Sequence, residues 1–167
     1  MRGFYAFFAA GLALTGPASA YPNGAPWGSA NPDAANSCNS CHFDGDVVME
    51  SDLISMTGWE PLVGPGDQFE LRLMFKKSKT DTTVGMQVSA NVGSFQGEQD
   101  GLETLGSQIR STAAKGGSGW LVWRFKWTAP AKMDAPITFH IAVNESNDDL
   151  SALGDQIHLR TLTLYAE

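Results

Sequence analysis

Beyond residue 60 the chain repeats with a period of two. Phe69, Leu71, Leu73 and Phe75 alternate with Gln68, Glu70, Arg72 and Met74, the pattern of a strand with one buried face. Val84, Met86, Val88 and Ala90 repeat it, as do Leu121, Trp123, Phe125 and Trp127 set against Arg124 and Lys126. Ile137, Phe139, Ile141 and Val143 form a fourth run, and residues 157–165 a fifth. Gly-, Asn- and Asp-rich connections separate the runs, among them Lys115-Gly116-Gly117-Ser118-Gly119 and residues 144–149. Short alternating strands bounded by turn chemistry predict an all-β fold, an antiparallel β-sandwich of immunoglobulin-like type. Residues 98–112 fit the alternation poorly. There Leu102, Leu105 and Ile109 predict one face of a short helix, or else a loop.

The first sixty residues follow other rules. Arg2, an apolar run from Phe4 to Thr15, the break at Gly16-Pro17 and the small residues Ala18-Ser19-Ala20 make up a secretory signal peptide with cleavage after Ala20. The run falls short of the roughly 20 apolar residues that a membrane span needs. Residues 21–37 carry the interruptions Pro22-Asn23-Gly24, Ala25-Pro26 and Asn31-Pro32 and no apolar period. The expected organisation is therefore a signal peptide at 1–20, an N-terminal arm at 21–58 and a sandwich domain at 59–167. The expected address is the periplasm or the exterior, with no membrane span in the mature chain.

The arm contains Cys38-Asn39-Ser40-Cys41-His42, and the chain has no other cysteine. C-x-x-C-H is the attachment signal of a c-type haem, because two thiols three residues apart can bond its two vinyl groups while the next residue ligates the iron. Cys38, Cys41 and His42 are thus the cofactor-binding residues, with His42 as proximal ligand and one covalent haem c as cofactor. The second ring nitrogen of His42 then needs an acceptor to fix its orientation. Competing uses of two cysteines in an exported chain are a plain disulfide, a thioredoxin-like redox pair, which expects a βαβ context, and a zinc site completed by His140 and His158.

From Gly64 onward the chain resembles the bacterial Reeler-like domains grouped as choice-of-anchor V proteins, related in architecture to the Reeler domain of reelin. The landmarks are Pro65-Gly66-Asp67-Gln68-Phe69, Val84-Gly85-Met86-Gln87-Val88 and Trp127-Thr128-Ala129-Pro130-Ala131, then Ile137-Thr138-Phe139-His140 and Gly154-Asp155-Gln156-Ile157. The resemblance implies a sandwich of seven or more strands. Members commonly carry a C-x-x-C-H near the N-terminus, as here. It implies no particular reaction, since function rests on the site and not on the fold. The sequence ends at Ala166-Glu167 without the sorting element of the anchored members, so surface anchoring is not expected.

The distal haem ligand decides between electron transfer and small-ligand binding. His140 and His158 both fall out of phase with the apolar positions of their strands, and Met56, 14 residues past His42, lies where a loop can fold back. His140 and Met56 are distal candidates, His158 is a further one, and an open site is the remaining possibility. Trp27 is the aromatic expected to cover the haem. Asp44, Asp46, Glu50 and Asp52 form an acidic cluster without the spacing of a calcium loop, and a solvated face is expected.

Net charge completes the picture. The whole chain stands at −7, and losing Arg2 leaves the mature chain one unit more acidic. Nucleic acid and anionic membranes, which reward clustered Lys and Arg, are excluded as expected partners. The expected function is an exported monohaem c-type cytochrome, an electron carrier rather than an enzyme with its own substrate, docking on a redox partner with a basic surface. The alternatives are a Reeler-like extracellular interaction module with a Cys38–Cys41 disulfide and no haem, or a haem-based sensor or enzyme with an open distal site.

Overall fold

Alternation of period two becomes a two-layer structure when each strand turns its apolar side the same way. The computed structural model describes residues 21–165 except 22, 43, 46, 61 and 150, and without the side chain of Asn39. The signal segment 1–20 lies outside the described residues. The chain forms one helical turn, α1 (Cys38–Cys41), followed by β1 (Ile54–Thr57), β2 (Gln68–Lys76), β3 (Thr83–Ala90), β4 (Ser94–Gly97) and β5 (Leu102–Leu105). Then come β6 (Gln108–Ser111), β7 (Trp120–Thr128), β8 (Ile137–Ser146) and β9 (Gln156–Leu164). The five runs predicted as strands are β2, β3, β7, β8 and β9.

All strand pairs are antiparallel and fall into two sheets, β1-β2-β7-β4 and β5-β6-β3-β8-β9. The fold is an all-β sandwich, as the alternation predicts. Its core is the interior face of both layers, where Trp123, Phe75, Phe125, Phe139, Leu73 and Ile141 are fully buried. Each such side chain contributes about 1.5–3 kcal/mol on leaving water.

Two parts of the expectation change. Residues 98–112 form no helix; they supply β5 and β6. Ile109 alone of the three supposed helix positions is buried, while Leu105 is exposed, so their spacing carries no amphipathic face. Ile54–Thr57, expected in the arm, is β1 and pairs with β2 from Ile54↔Phe75 to Thr57↔Arg72.

The outer face of the second sheet is not wholly wet either. The arm lies across it, and Ala30, Ala142, Ile157 and Leu159 form a small second core, with Cys38 and Val47 packed against them. The buried amide of Gln87 holds the arm from both sides. Its Oε1 accepts from the Ala30 N–H at 2.9 Å and its Nε2 donates to the Pro26 carbonyl at 2.9 Å. Further on, the arm runs along the edge of β9, where the Val48 N–H donates to the Ile157 carbonyl and the Leu159 N–H to the Val48 carbonyl, both at 2.9 Å. It then crosses to β1, and Arg160 Nη1 ties the crossing by donating to the carbonyls of Ser51 and Ile54.

Candidate functional site: a cleft under the arm

Cys38–Cys41 is a single turn of helix, and His42 closes it by donating its N–H to the Cys38 carbonyl at 3.2 Å. Residues i, i+3 and i+4 of a helical turn share one side. That rule places the two thiols and the imidazole together, and all three border one cleft of about 320 Å³. The cleft lies between the arm and the outer face of β3 and β8, with Gly85, Gln87, Ala142 and Asn144 among its walls. Its volume is at the lower end of small-molecule and cofactor sites.

The β8–β9 connection fixes the motif in place. His42 Nδ1 lies 3.0 Å from Asp155 Oδ2, a contact without the alignment of a full hydrogen bond. Asp44 accepts the Gly154 N–H at 2.9 Å. Gly45 passes so close that an added Cβ would come within 2.4 Å of the Asp155 carbonyl oxygen. Asp155 is itself buried. Burial raises its carboxyl pKa, but the close contact with His42 and hydrogen bonds from Asn144, Ser146 and the Asn147 N–H outweigh this and leave it below the ordinary range. A charged carboxylate therefore faces Nδ1 at neutral pH, which leaves Nε2 as the remaining nitrogen.

The thiols differ in surroundings. Cys41 is exposed, Cys38 is partly buried, and no disulfide joins them. Burial, with the neighbouring Cys41 adding to it, pushes the Cys38 thiol up to about 12. A thioredoxin-like pair needs a nucleophilic thiol whose pKa is lowered, so this environment opposes that use.

None of His140, Met56 and His158 borders the cleft. Met56 points into the sandwich core from β1. His140 stands on the outer face of β8 beside a separate hollow with Gly28, Asn31 and Ala34, and its Nδ1 is 3.4 Å from Thr161 Oγ1. His158 lies in the interior, its ring edge-on to Phe75 and its Nδ1 3.0 Å from Ser51 Oγ. Sequence phase misleads at His158 because Ile157 and Leu159 are buried under the arm instead of in the main core. Trp27 does not border the cleft; the Arg110 guanidinium sits 4.2 Å over its ring. Of the acidic cluster, Asp44 and Glu50 are structural, since they accept backbone N–H groups of Gly154 and Thr161. Asp46 lies outside the described residues.

Asp155 is the site residue that sequence reasoning did not single out. Its signal was the landmark Gly154-Asp155-Gln156-Ile157, which marks the entry to β9 but names no contact to His42.

A cytochrome-type haem fits this donor set. Two thiols on one side of a helical turn and an imidazole with one nitrogen engaged by a carboxylate are what its two vinyl groups and iron require. Among the described residues, no helix is long and apolar enough to cross a membrane.

No protein-family model and no curated protein sequence matches the chain. Solved structures do. The Reelin-N domain of F-spondin is similar over 77% of this chain and 96% of its own, with a TM-score of 0.53 and 10% identity. The human F-spondin reeler domain is similar over 73% and 96%, with a TM-score of 0.49 and 10% identity. An uncharacterized protein from Nocardia farcinica with an immunoglobulin-like fold is similar over 68% and 98%, with a TM-score of 0.44 and 13% identity. The first of these likenesses shows a Reeler-like fold, at an identity that speaks for the fold alone.

Proposed function

We propose that this is an exported monohaem c-type cytochrome, with haem c bonded to Cys38 and Cys41 and ligated by Nε2 of His42. The observation that supports it most is the meeting of both thiols and the imidazole at one cleft, with Asp155 on the other ring nitrogen. Each thiol would add across a vinyl double bond. A carbon–sulfur bond forms, the thiol hydrogen goes to the other vinyl carbon, and no group leaves. The haem supplies one-electron exchange at its iron.

The chain's own residues set the conditions for that exchange. Asp155 orients His42 and raises its basicity, which favours the oxidised iron. The acidic surface would draw a basic redox partner into a small, salt-sensitive complex. Export to the periplasm or beyond, with cleavage after Ala20, belongs to the same reading.

A second reading has the Reeler-like fold in its favour. In it the chain is an extracellular interaction module, Cys38 and Cys41 are joined as a disulfide, and no haem is carried. Expression with haem c maturation machinery separates the two. The cytochrome reading expects a pyridine haemochrome in the wild type that is lost when Cys38→Ser and Cys41→Ser are combined. A colourless wild type with both cysteines oxidised would leave the interaction module standing.

A further inference from the structure

The first described residue of the arm and its cysteine motif border the same cleft. Tyr21, the first described residue, borders it together with Cys38, Cys41 and His42, although seventeen positions separate Tyr21 from Cys38. Resting on the cytochrome reading, we propose that the α-amino group of Tyr21, freed by cleavage after Ala20, is the second axial ligand of the haem.

The start of the arm is held in place by short ties. The Gly24 N–H donates to the Tyr21 carbonyl at 3.1 Å. Arg110 Nη1 donates to the Ala25 carbonyl at 2.6 Å, and Gln87 Nε2 to the Pro26 carbonyl at 2.9 Å. Gly24 has φ +104° and packs against β6, where an added Cβ would come 2.7 Å from the Ser111 carbonyl oxygen. The nitrogen of Tyr21 is thus a few bonds from a backbone pinned to both β6 and β3. Tyr21 borders the cleft and is 60% exposed.

The usual donors are elsewhere. Among the described residues bordering the cleft, His42 is the only imidazole, and the one thioether, Met86, is packed into the sandwich core. An α-amino group is a competent nitrogen ligand, and it releases its proton roughly two pH units more readily than a lysine ammonium. On ligation that proton passes to water and the nitrogen lone pair goes to iron. While the leader is attached, the same nitrogen is an amide with no basic lone pair, so leader cleavage would itself complete the coordination.

Three haem-loaded chains test this: the wild type, Tyr21→Phe, and a chain in which a tag of about a dozen residues without His, Met, Lys or Cys remains ahead of Tyr21 after export. The proposal expects low-spin ferric spectra and slow CO binding in the first two. It expects the tagged chain to turn high-spin and bind CO at least about ten-fold faster once reduced, because its distal position is open. Identical spectra and CO rates with and without the tag would overturn it, as would a mature N-terminus at any residue other than Tyr21. A high-spin Tyr21→Phe protein would assign the phenol oxygen in place of the amine, and so overturn it too. Haem present but indifferent to the tag defeats this inference alone, whereas a wild type without haem defeats the cytochrome reading with it.

Discussion

Asp155 and His158 show how one kind of contact, a carboxylate near an imidazole, serves two ends. Asp155 is tied by Asn144, Ser146 and Asn147, lies at the cleft and faces the Nδ1 of His42. Replacing it by Asn removes the charge and keeps the shape. The haem potential of Asp155→Asn is expected to rise, because a less basic His42 stabilises the oxidised iron less; an unchanged potential in voltammetry would remove Asp155 from the site.

His158 is instead interior, with Nε2 3.8 Å from Glu145 Oε2. Burial lowers its pKa most; Glu145 opposes and Lys79 adds to the lowering. Burial likewise works to raise the Glu145 carboxyl, but hydrogen bonds from Ser78, Lys79 and Thr82 outweigh it and leave it lowered. His158 is therefore neutral in the folded protein, while the unfolded chain protonates it at an ordinary value of about 6.5. The unfolded state then binds more protons, so the contribution is complete above about pH 6.5 and is lost as pH falls below it. Urea midpoints taken from about pH 8 to 5 should fall with acid in the wild type, and less steeply in His158→Gln. Parallel slopes would contradict a neutral buried His158.

At the scale of elements, the arm decides whether there is a cleft at all. Gln87 bonds it on both sides from the outer face of β3, and its side chain is buried. Gln87→Leu would strand the Ala30 N–H, at a cost of about 1–3 kcal/mol for a buried group left unpaired, and would leave the Pro26 carbonyl with its donors from Ser29 alone. Amide hydrogen exchange should speed up at residues 29 and 30 more than in β7, which lies in the other layer. Equal acceleration everywhere would mean that the arm is not a separately held element.

The strands themselves were legible wherever two faces meet different surroundings. β2 and β7 alternate almost residue by residue between core and surface, and the sequence alternates with them. β4, β5 and β6 are four residues each and bury one, none and two side chains, too few positions to declare a period. β9 was legible as a strand but not in phase, since covering by the arm turns its outer face apolar and admits His158 to the interior. The attachment motif is local, five residues in a row, and could be read directly. Asp155, Tyr21 and the cleft walls are brought to it by the fold, and no local pattern marks such a meeting.

For the whole molecule, the Reeler-like sandwich acts as a platform whose outer face is roofed by the arm. The candidate site lies between platform and roof, away from the main core and its fully buried Trp123 and Trp127. The single helical turn that carries C-x-x-C-H is gripped by the β8–β9 connection at Asp44, Gly45 and His42, and in the cytochrome reading that grip stands in for surrounding helices. The most direct measurement is the intact mass, under denaturing conditions, of protein exported from cells equipped for haem c maturation. The account predicts the chain from Tyr21 onward plus the full mass of one haem that denaturation does not release. A chain without that added mass, short of two hydrogens and colourless, would contradict it.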